Sequence, residues 1–562
     1  TGIARAQDAD LVERPNFLIV VADDMGWSDI GALGGEIRTP NIDALAAAGT
    51  LMTDYYVAPT CAPTRAMLVT GVDSHEAGLG VQSGVRAANQ VGINYEGELH
   101  DGVVTVAEAL QAHGYQTFMS GKWHLANDQA QRPTRRGFQR AFSLMTGGAS
   151  HFADQKEIGP FDVPVYVEDG EQVEVLPQDW YSSIGYADKL LEYLGERDED
   201  APFLAYLAFT APHDPLQVPD DWLDRYRGAY DAGPQATRRA RAKRLEALGL
   251  IPEGTRLWQY PRFPGWFPNH AAPWDERSAE QREKDARPME IYAAMVELMD
   301  QQIGRVLEFL REQGELDNTY VVFFSDNGAS AAGPLVYPGV TPEWYEDTWD
   351  ISHENRGRPG NFTVMGREWA SAAGTPWKLY KASVSEGGIR SPLIVSGPSV
   401  PAGERSGALA HVTDVAPTIY ELAGVEPQQS ALFDGKILPQ GRSLIPVLTG
   451  ESPATRSSFG VHLFGNRGFR QGNWKISNTL PPLSNGEWQL FDLAADPGAV
   501  NDLAAERPER LAELLAGFDE YVQRHDVILP DESPLDVSLR SLYPDECDWW
   551  CEVRFTVIGW LN

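Results

Sequence analysis

The residues able to do chemistry in this 562-residue chain fall into short polar clusters, each directly after an apolar run. Asp23-Asp24 follows the run 15–22, and Lys122-Trp123-His124 follows 115–120. Pro212-His213 follows 202–209, and Asp326-Asn327 follows 319–324. Asp23, Asp24, Asp326 and Asn327 offer only oxygen ligands, a set that suits calcium or magnesium better than zinc. Adjacent carboxylates at a strand end repel unless a cation or an arginine neutralises them. Helix caps and solvated turns compete with that reading, since Asp-Asn-Gly alone is a common turn. Lys122, His124, His213 and Lys381 are the groups for anion binding and proton transfer. In an extended segment residues two apart face the same way, so Lys122 and His124 can share a ligand while Trp123 packs away.

A further stretch, Pro59-Thr60-Cys61-Ala62-Pro63-Thr64-Arg65 running on to Gly71, holds the only cysteine outside the last sixteen residues. Pro63 suits the first turn of a helix, Arg65 falls within that turn, and Met67-Leu68-Val69 anchors it to a core. A nucleophile at a helix start, with backbone N–H groups and a guanidinium beside it, suits an anionic substrate. A buried structural cysteine is the competing reading. Calcium binds oxygen rather than sulfur, so Cys61 beside that ligand set makes better chemical sense if the mature residue presents oxygen.

The scaffold these clusters need is legible in the pattern. The four apolar runs read as buried strands. Helices are expected at 39–49 (Thr39 as cap, Pro40 first, Gly49 after the end), 104–113, 184–197, about 289–313, and near 414–423. Alternating strands and helices imply a largely parallel sheet with helices on both faces, whose ligands bind at the carboxyl ends of the strands. Residues far apart in sequence should therefore meet at one sheet edge. The basic run Arg238, Arg239, Arg241, Lys243, Arg244 reads as a solvated helix face, or else as an attractor of anions. Aromatic residues within 258–274 and 344–369 either line a leaving-group pocket or pack. From about Ser457, short strands at 460–464, 469–471, 474–477 and 488–492, separated by Asn-Arg-Gly, Gly-Asn and Asn-Gly turns, suit an antiparallel meander covered by a helix at 507–525. The expected division is a catalytic α/β domain, 1–450, and a smaller domain, 451–562.

Composition excludes some functions. The net charge is −34, from 80 acidic against 46 basic residues, which repels nucleic acid. No apolar run is long enough for a bilayer, so membrane insertion is not expected. Any anion site on so acidic a chain must concentrate positive charge locally or hold a metal. Cys547 and Cys551 are close enough to pair or to stay reduced, which leaves a cytoplasmic or periplasmic location open.

The stretch 59–65, continuing to Leu68-Val69-Thr70-Gly71, resembles the signature of type I, formylglycine-dependent sulfatases. Gly114-Tyr115-Gln116-Thr117, continuing to Gly121-Lys122-Trp123-His124, resembles that family's second signature. Asp23-Asp24, Pro212-His213, Asp326-Asn327 and Lys381 ahead of Glu386-Gly387-Gly388 fall in the family's order, and within it the chain is most similar to bacterial arylsulfatases. Ala62 departs from the frequent serine, but the Cys-x-Pro-x-Arg core is intact. The resemblance implies an alkaline-phosphatase-like fold, with a large, mainly parallel sheet sandwiched by helices and a C-terminal four-stranded antiparallel sheet with a helix. It implies that a formylglycine-generating enzyme oxidises Cys61 to formylglycine, which hydrates to a gem-diol. A serine attacking sulfur would be left as a stable sulfate ester, whereas the diol's second hydroxyl can expel sulfate and restore the aldehyde. One divalent cation, calcium by resemblance, would sit on Asp23, Asp24, Asp326, Asn327 and residue 61. Arg65 would hold the diol, and Lys122 and Lys381 would bind sulfate oxygens. His213 would protonate the leaving alcohol and His124 take the proton from the second hydroxyl, roles the two could exchange. The expected function is hydrolysis of small sulfate monoesters, aryl or alkyl. A phosphate or phosphonate ester hydrolase and a catalytically silent binding protein are the competing functions.

Overall fold

Adjacent apolar runs become adjacent strands. The computed structural model describes residues 14–532 apart from 83–84, 126–128, 161, 260–271, 334–336, 338, 453–455 and 481–483. Its large sheet contains, in chain order, β1 (Asn16–Ala22), β2 (Thr50–Tyr56), β3 (Gln116–Lys122), β4 (Arg140–Leu144), β5 (Tyr166–Glu168), β6 (Glu171–Val173), β7 (Phe203–Ala208), β8 (Thr319–Ser325), β9 (Arg390–Ser396), β10 (Glu404–Ser406) and β11 (Ala410–His411). The spatial order is β10-β2-β9-β8-β1-β7-β3-β4-β5-β6, with β11 also paired to β2. The centre, β8-β1-β7-β3-β4, is parallel throughout. The fold is the expected one, a mainly parallel sheet between helices.

Both faces of the centre are covered, which is why its strands are apolar without alternation. Leu18 and Val20 point to one face, where the helices Ser182–Gly195 and Ala279–Glu312 pack. Phe17, Ile19 and Val21 point to the other, against the helices Cys61–Thr70, Val106–Ala112 and Val415–Ala423. Each such fully buried side chain contributes roughly 1.5–3 kcal/mol.

Register sets where the strand ends lie. Ala22 pairs with Ser325, and Val21 with Ala208, which pairs in turn with Gly121. Asp23, Asp326 and Lys122 therefore leave the sheet at one level. Gly121 allows this: it has φ +120°, and a Cβ there would lie 1.8 Å from the Ala208 carbonyl oxygen.

Some elements depart from expectation. β2 was not foreseen, because Asp54 interrupts its apolar pattern; that carboxylate is paired within the protein. The long helix starts at Ala279 and runs through Pro288, a residue that ordinarily marks a helix boundary. Its start is capped by Ser278, whose hydroxyl accepts from Gln281 N. Thr39 precedes its helix but does not cap it; its hydroxyl accepts from Gly31 N and donates to Asp43 instead.

A second sheet, β12 (Ser458–Leu463), β13 (Asn466–Gln471), β14 (Trp474–Asn478) and β15 (Trp488–Asp492), is an antiparallel meander. The helix Pro508–Arg524 lies on it through Leu514, Phe518 and Tyr521, over Phe469, Ile476 and Leu490. The first turn is Phe464-Gly465, both at positive φ, and Asn466-Arg467-Gly468 belongs to β13 rather than to a turn. Cys547, Cys551 and most of the 258–274 segment lie outside the described residues. Among the described residues no helix is long and apolar enough to cross a membrane.

Candidate active site

Cys61 opens the helix Cys61–Thr70, after Thr60 in extended conformation, and all ten residues of that helix are buried. Its thiol donates to Asp23 Oδ1 at 3.4 Å and receives Lys381 Nζ at 3.4 Å. Burial and the Asp23 charge push the thiol well above its ordinary pKa, so it stays protonated. A thiol in that state is a poor nucleophile.

Asp23 and Asp24 follow β1 directly, and Asp24 has φ +67°. Asp23 Oδ2 accepts from Lys122 Nζ at 2.7 Å, with Arg65 Nη2 at 3.8 Å. Burial would raise the Asp23 carboxyl, but Lys122, His213, Arg65 and Lys381 outweigh it and hold it well below the carboxylate range. Asp24 receives Lys381 Nζ at 2.7 Å on Oδ1 and Asn327 Nδ2 at 2.5 Å on the same oxygen. Asp326 Oδ2 accepts from Arg65 Nε and pairs with the Nη2 charge, and Asp24 N approaches its Oδ1 at 3.3 Å. Burial and the Asp23 charge push Asp326 above the carboxylate range in spite of Arg65.

His213 donates from Nδ1 to the Asp214 carbonyl at 2.6 Å, which fixes the tautomer and aims Nε2 at Asp24 Oδ2, 3.6 Å away. His124, at φ +56°, is buried, and burial with the charges of Lys122 and Arg65 holds its pKa well below the ordinary value, leaving it neutral. Gly147 and Gly148 lie across the two rings. A Cβ on Gly147 would stand 3.1 Å from His124 Nε2, and one on Gly148 3.4 Å from His213 Nδ1.

The structure thus brings together all ten residues singled out in the sequence: Asp23, Asp24, Cys61, Arg65, Lys122, His124, His213, Asp326, Asn327 and Lys381. The carboxylates of Asp23 and Asp24 fit a hard cation, whereas the sulfur and the ring nitrogen that gather with them do not. One ligand atom from each of Asp23, Asp24, Cys61 and His213 lies within 4.8 Å of every other. Asn327 Oδ1 is buried with no hydrogen-bond partner among the described residues, although its Nδ2 is satisfied twice. A buried carbonyl oxygen in that state is free to ligate a cation.

Several supporting residues escaped sequence reasoning. Tyr292, on the long helix, donates its one proton to Asp29 Oδ2 at 2.6 Å, lies 3.3 Å from the Asp24 carbonyl, and accepts from Gly26 N at 3.0 Å. Arg241 donates to Asp29 at 2.6 Å and to Glu36 at 2.7 Å, and is fully buried. The basic run is therefore neither a solvated face nor an anion attractor at its centre. Arg238 and Arg241 are buried in the helix Pro234–Ala247, and Arg241 clamps the loop behind Asp24; Arg239 and Lys243 are exposed. His151, pushed down to about 4 by burial, faces the His213 carbonyl at 3.0 Å. Trp274 and Trp369 pack edge to face, 5.8 Å apart, and Trp349 packs against Phe362, so these aromatics are core. A polar residue within an apolar helix face, as at Tyr292, was the signal available.

Fold and site together define an α/β protein with a buried, charge-paired cluster at the carboxyl ends of its parallel strands. The family model described as Sulfatase matches residues 15–425, and the chain belongs to that family: it is a sulfuric ester hydrolase. It is 40% identical over 537 residues to an uncharacterized sulfatase of Schizosaccharomyces pombe, covering 92% of this chain and 96% of that protein. It is 40% identical over 459 residues to the arylsulfatase of Klebsiella aerogenes, covering 81% and 95%. Equal identity to a yeast and a bacterial protein gives no preference for a bacterial type. Among solved structures, Ps i-CgsB in complex with k-i-k-neocarrahexaose superposes with TM-score 0.64 at 23% identity, over 96% of this chain and all of that one. The phosphonate monoester hydrolase of Agrobacterium radiobacter superposes with TM-score 0.55 at 20% identity, over 91% and 96%. At those identities the likeness is one of fold.

Proposed function

We propose that the protein hydrolyses aryl sulfates at Cys61 after its oxidation to formylglycine, with calcium as the ion. The carrying observation is the position of Cys61 Sγ, 3.4 Å from both Asp23 Oδ1 and Lys381 Nζ at the start of a helix. Sulfur there stands in for the hydroxyl oxygens of the hydrated mature residue, which suit a carboxylate and an ammonium far better. Hydrated formylglycine supplies an oxygen nucleophile and a second hydroxyl whose ionisation lets sulfate leave. Asp23, Asp24, Asp326 and Asn327 would hold the cation, which supplies charge that steadies an ionised hydroxyl and a sulfate oxygen.

The chain's own residues do the rest. Three carboxylates, Asp23, Asp24 and Asp326, face three cations, Arg65, Lys122 and Lys381, so the protein groups are close to neutral as a set. A divalent ion adds two positive charges, which a sulfate monoester anion and an ionised hydroxyl balance. Lys122 and Lys381 answer charge on the sulfate and leaving oxygens. Arg65 holds the carboxylates in register. His124, held neutral, accepts a proton, while His213, in its doubly protonated form, donates one from Nε2 to the leaving alcohol. Residues 1–450 form the catalytic domain and 451–562 a smaller one, and a formylglycine-generating enzyme matures the chain.

Mass spectrometry of the Cys61 peptide tests the maturation. Protein made alongside a converting enzyme should carry an aldehyde in place of the thiol. Kinetics on paired aryl sulfate and aryl phosphate should favour sulfate; faster phosphate turnover would overturn the substrate reading.

A further inference from the structure

We infer that the four-stranded C-terminal sheet is a working part of the active site: through Glu386, Lys475 positions the loop that presents Lys381. The inference rests on the reading of Lys381 as a sulfate-binding residue. That loop is an unfavourable one, since Leu379 and Ala382, neither of them glycine, flank Lys381 at φ +62° and +67°. Such conformations persist only where surrounding structure imposes them.

The imposing structure comes from two directions. On the catalytic side, Lys381 N donates to the Ala329 carbonyl at 3.1 Å, Ala382 N to Pro59 at 2.8 Å, and Val57 N to Ile389 at 2.8 Å. These bonds tie the Lys381 loop to the segments carrying Cys61 and Asn327. On the C-terminal side, Asn466 Nδ2, from β13, donates to the Ala382 carbonyl at 3.4 Å, and Lys378 Nζ to Gln489 Oε1, on β15, at 3.3 Å.

Between them lies a buried ionic seam of Asp54, Tyr56, Glu386, Arg390, Arg470 and Lys475. Lys475 Nζ meets Glu386 Oε1 at 2.6 Å, while Tyr56 and Arg390 share Oε2 at 2.5 and 3.2 Å. Arg470 donates to both oxygens of Asp54 at 2.9 and 2.6 Å, and Arg390 approaches Asp54 at 2.8 Å. Glu386 is fully buried and Lys475 almost so, at 0% and 2% side-chain exposure. Tyr56 stands five residues before Cys61, and Glu386 five residues after Lys381. A buried pair of this kind fixes geometry, because losing either partner strands the other's charge. The seam therefore spans the roots of both reactive segments, with two of its cations supplied by the second sheet.

A double-mutant cycle on the full-length matured enzyme tests this, with an aryl sulfate as substrate. Lys475→Met should lower kcat/KM about tenfold or more in the parent, yet change it by less than about twofold in a Lys381→Ala background, since the lost interaction is already absent there. Lys475→Arg, which restores the charge, should recover most of the parent rate. Equal fold losses in both backgrounds would overturn the inference, because the lysine would then act on the fold as a whole. Where Lys475→Met fails to fold by circular dichroism, Asn466→Ala enters the same cycle, and additive losses there would overturn it equally. A Lys381→Ala enzyme as active as the parent would overturn the role of Lys381, and this inference with it.

Discussion

Arg65 donates from Nε to Oδ2 of Asp326 at 2.9 Å and holds Nη2 against the same oxygen as an ion pair at 2.8 Å, leaving Oδ1 beside Asp24 N. Its remaining donor, Nη1, reaches the Lys122 carbonyl at 2.8 Å. One fully buried guanidinium thus joins the end of β8 to the end of β3, beside Asp23. Arg65→Lys keeps the charge but not the fork. We expect kcat/KM on an aryl sulfate to fall by about 10²-fold or more, as for loss of a preorganised electrostatic group. Arg65→Ala, which leaves Asp326 buried without its cation, should cost about 3–5 kcal/mol in urea denaturation.

Tyr292→Phe deletes one hydroxyl that contacts Asp29, the Asp24 carbonyl and Gly26 N. Leaving buried polar groups unpaired costs about 1–3 kcal/mol. Since these groups hold the Asp24 loop, kcat should fall along with the melting temperature, and the affinity for the cation should weaken in a thermal-shift titration.

Lys378 links pH to stability. Burial pushes its ammonium down to about 8, against an ordinary value of 10.5. The folded pKa is depressed, so below pH 8 both states are protonated and folding carries the cost of burying the charge. Between about pH 8 and 10.5 the folded state releases its proton first and stability rises. The full shift corresponds to roughly 3 kcal/mol. Lys378→Met should therefore be more stable than the parent at pH 7, less the value of the Gln489 hydrogen bond, with the advantage fading by about pH 10.5. Denaturation of both proteins at pH 7 and 10 checks this.

His213→Ala separates acid from base. If His213 protonates the leaving oxygen, aryl sulfates with weakly acidic phenols should slow by about 10²–10⁴-fold and nitrophenyl sulfate much less. A uniform loss across leaving groups would assign that proton to His124.

Chelation removes the cation that the Asp23, Asp24, Asp326 and Asn327 oxygens would hold. Activity should be lost on treatment with a strong chelator and return with calcium, and the melting temperature should rise with calcium concentration. Zinc, which prefers nitrogen and sulfur, should restore less.

Most of the candidate set was legible because its members sit near the end of a strand or the start of a helix, where local pattern marks the position; Lys381, in a loop, was marked by the family resemblance. Asp23-Asp24, Lys122, His213 and Asp326-Asn327 follow four apolar runs, and the signature around Cys61 is contiguous. What supports the set was not legible. Arg241 lies in a run whose neighbours Arg239 and Lys243 are exposed, so composition alone suggested solvent. β2 was hidden because Asp54 breaks its pattern, and the partner that makes Asp54 tolerable, Arg470, is 416 residues away.

The amino-acid order therefore dictated the chemistry: oxygen ligands, three cations, two histidines and a cysteine at a helix start, placed at the ends of elements by hydrophobic periodicity. Folding settled which side chains meet, through the register Ala22–Ser325, Val21–Ala208 and Ala208–Gly121. It also settled which charges lose their water, as at Arg65, Arg241 and Glu386. Those outcomes depend on contacts between segments distant in sequence, and a buried charge finds its partner only when the sheets and helices pack.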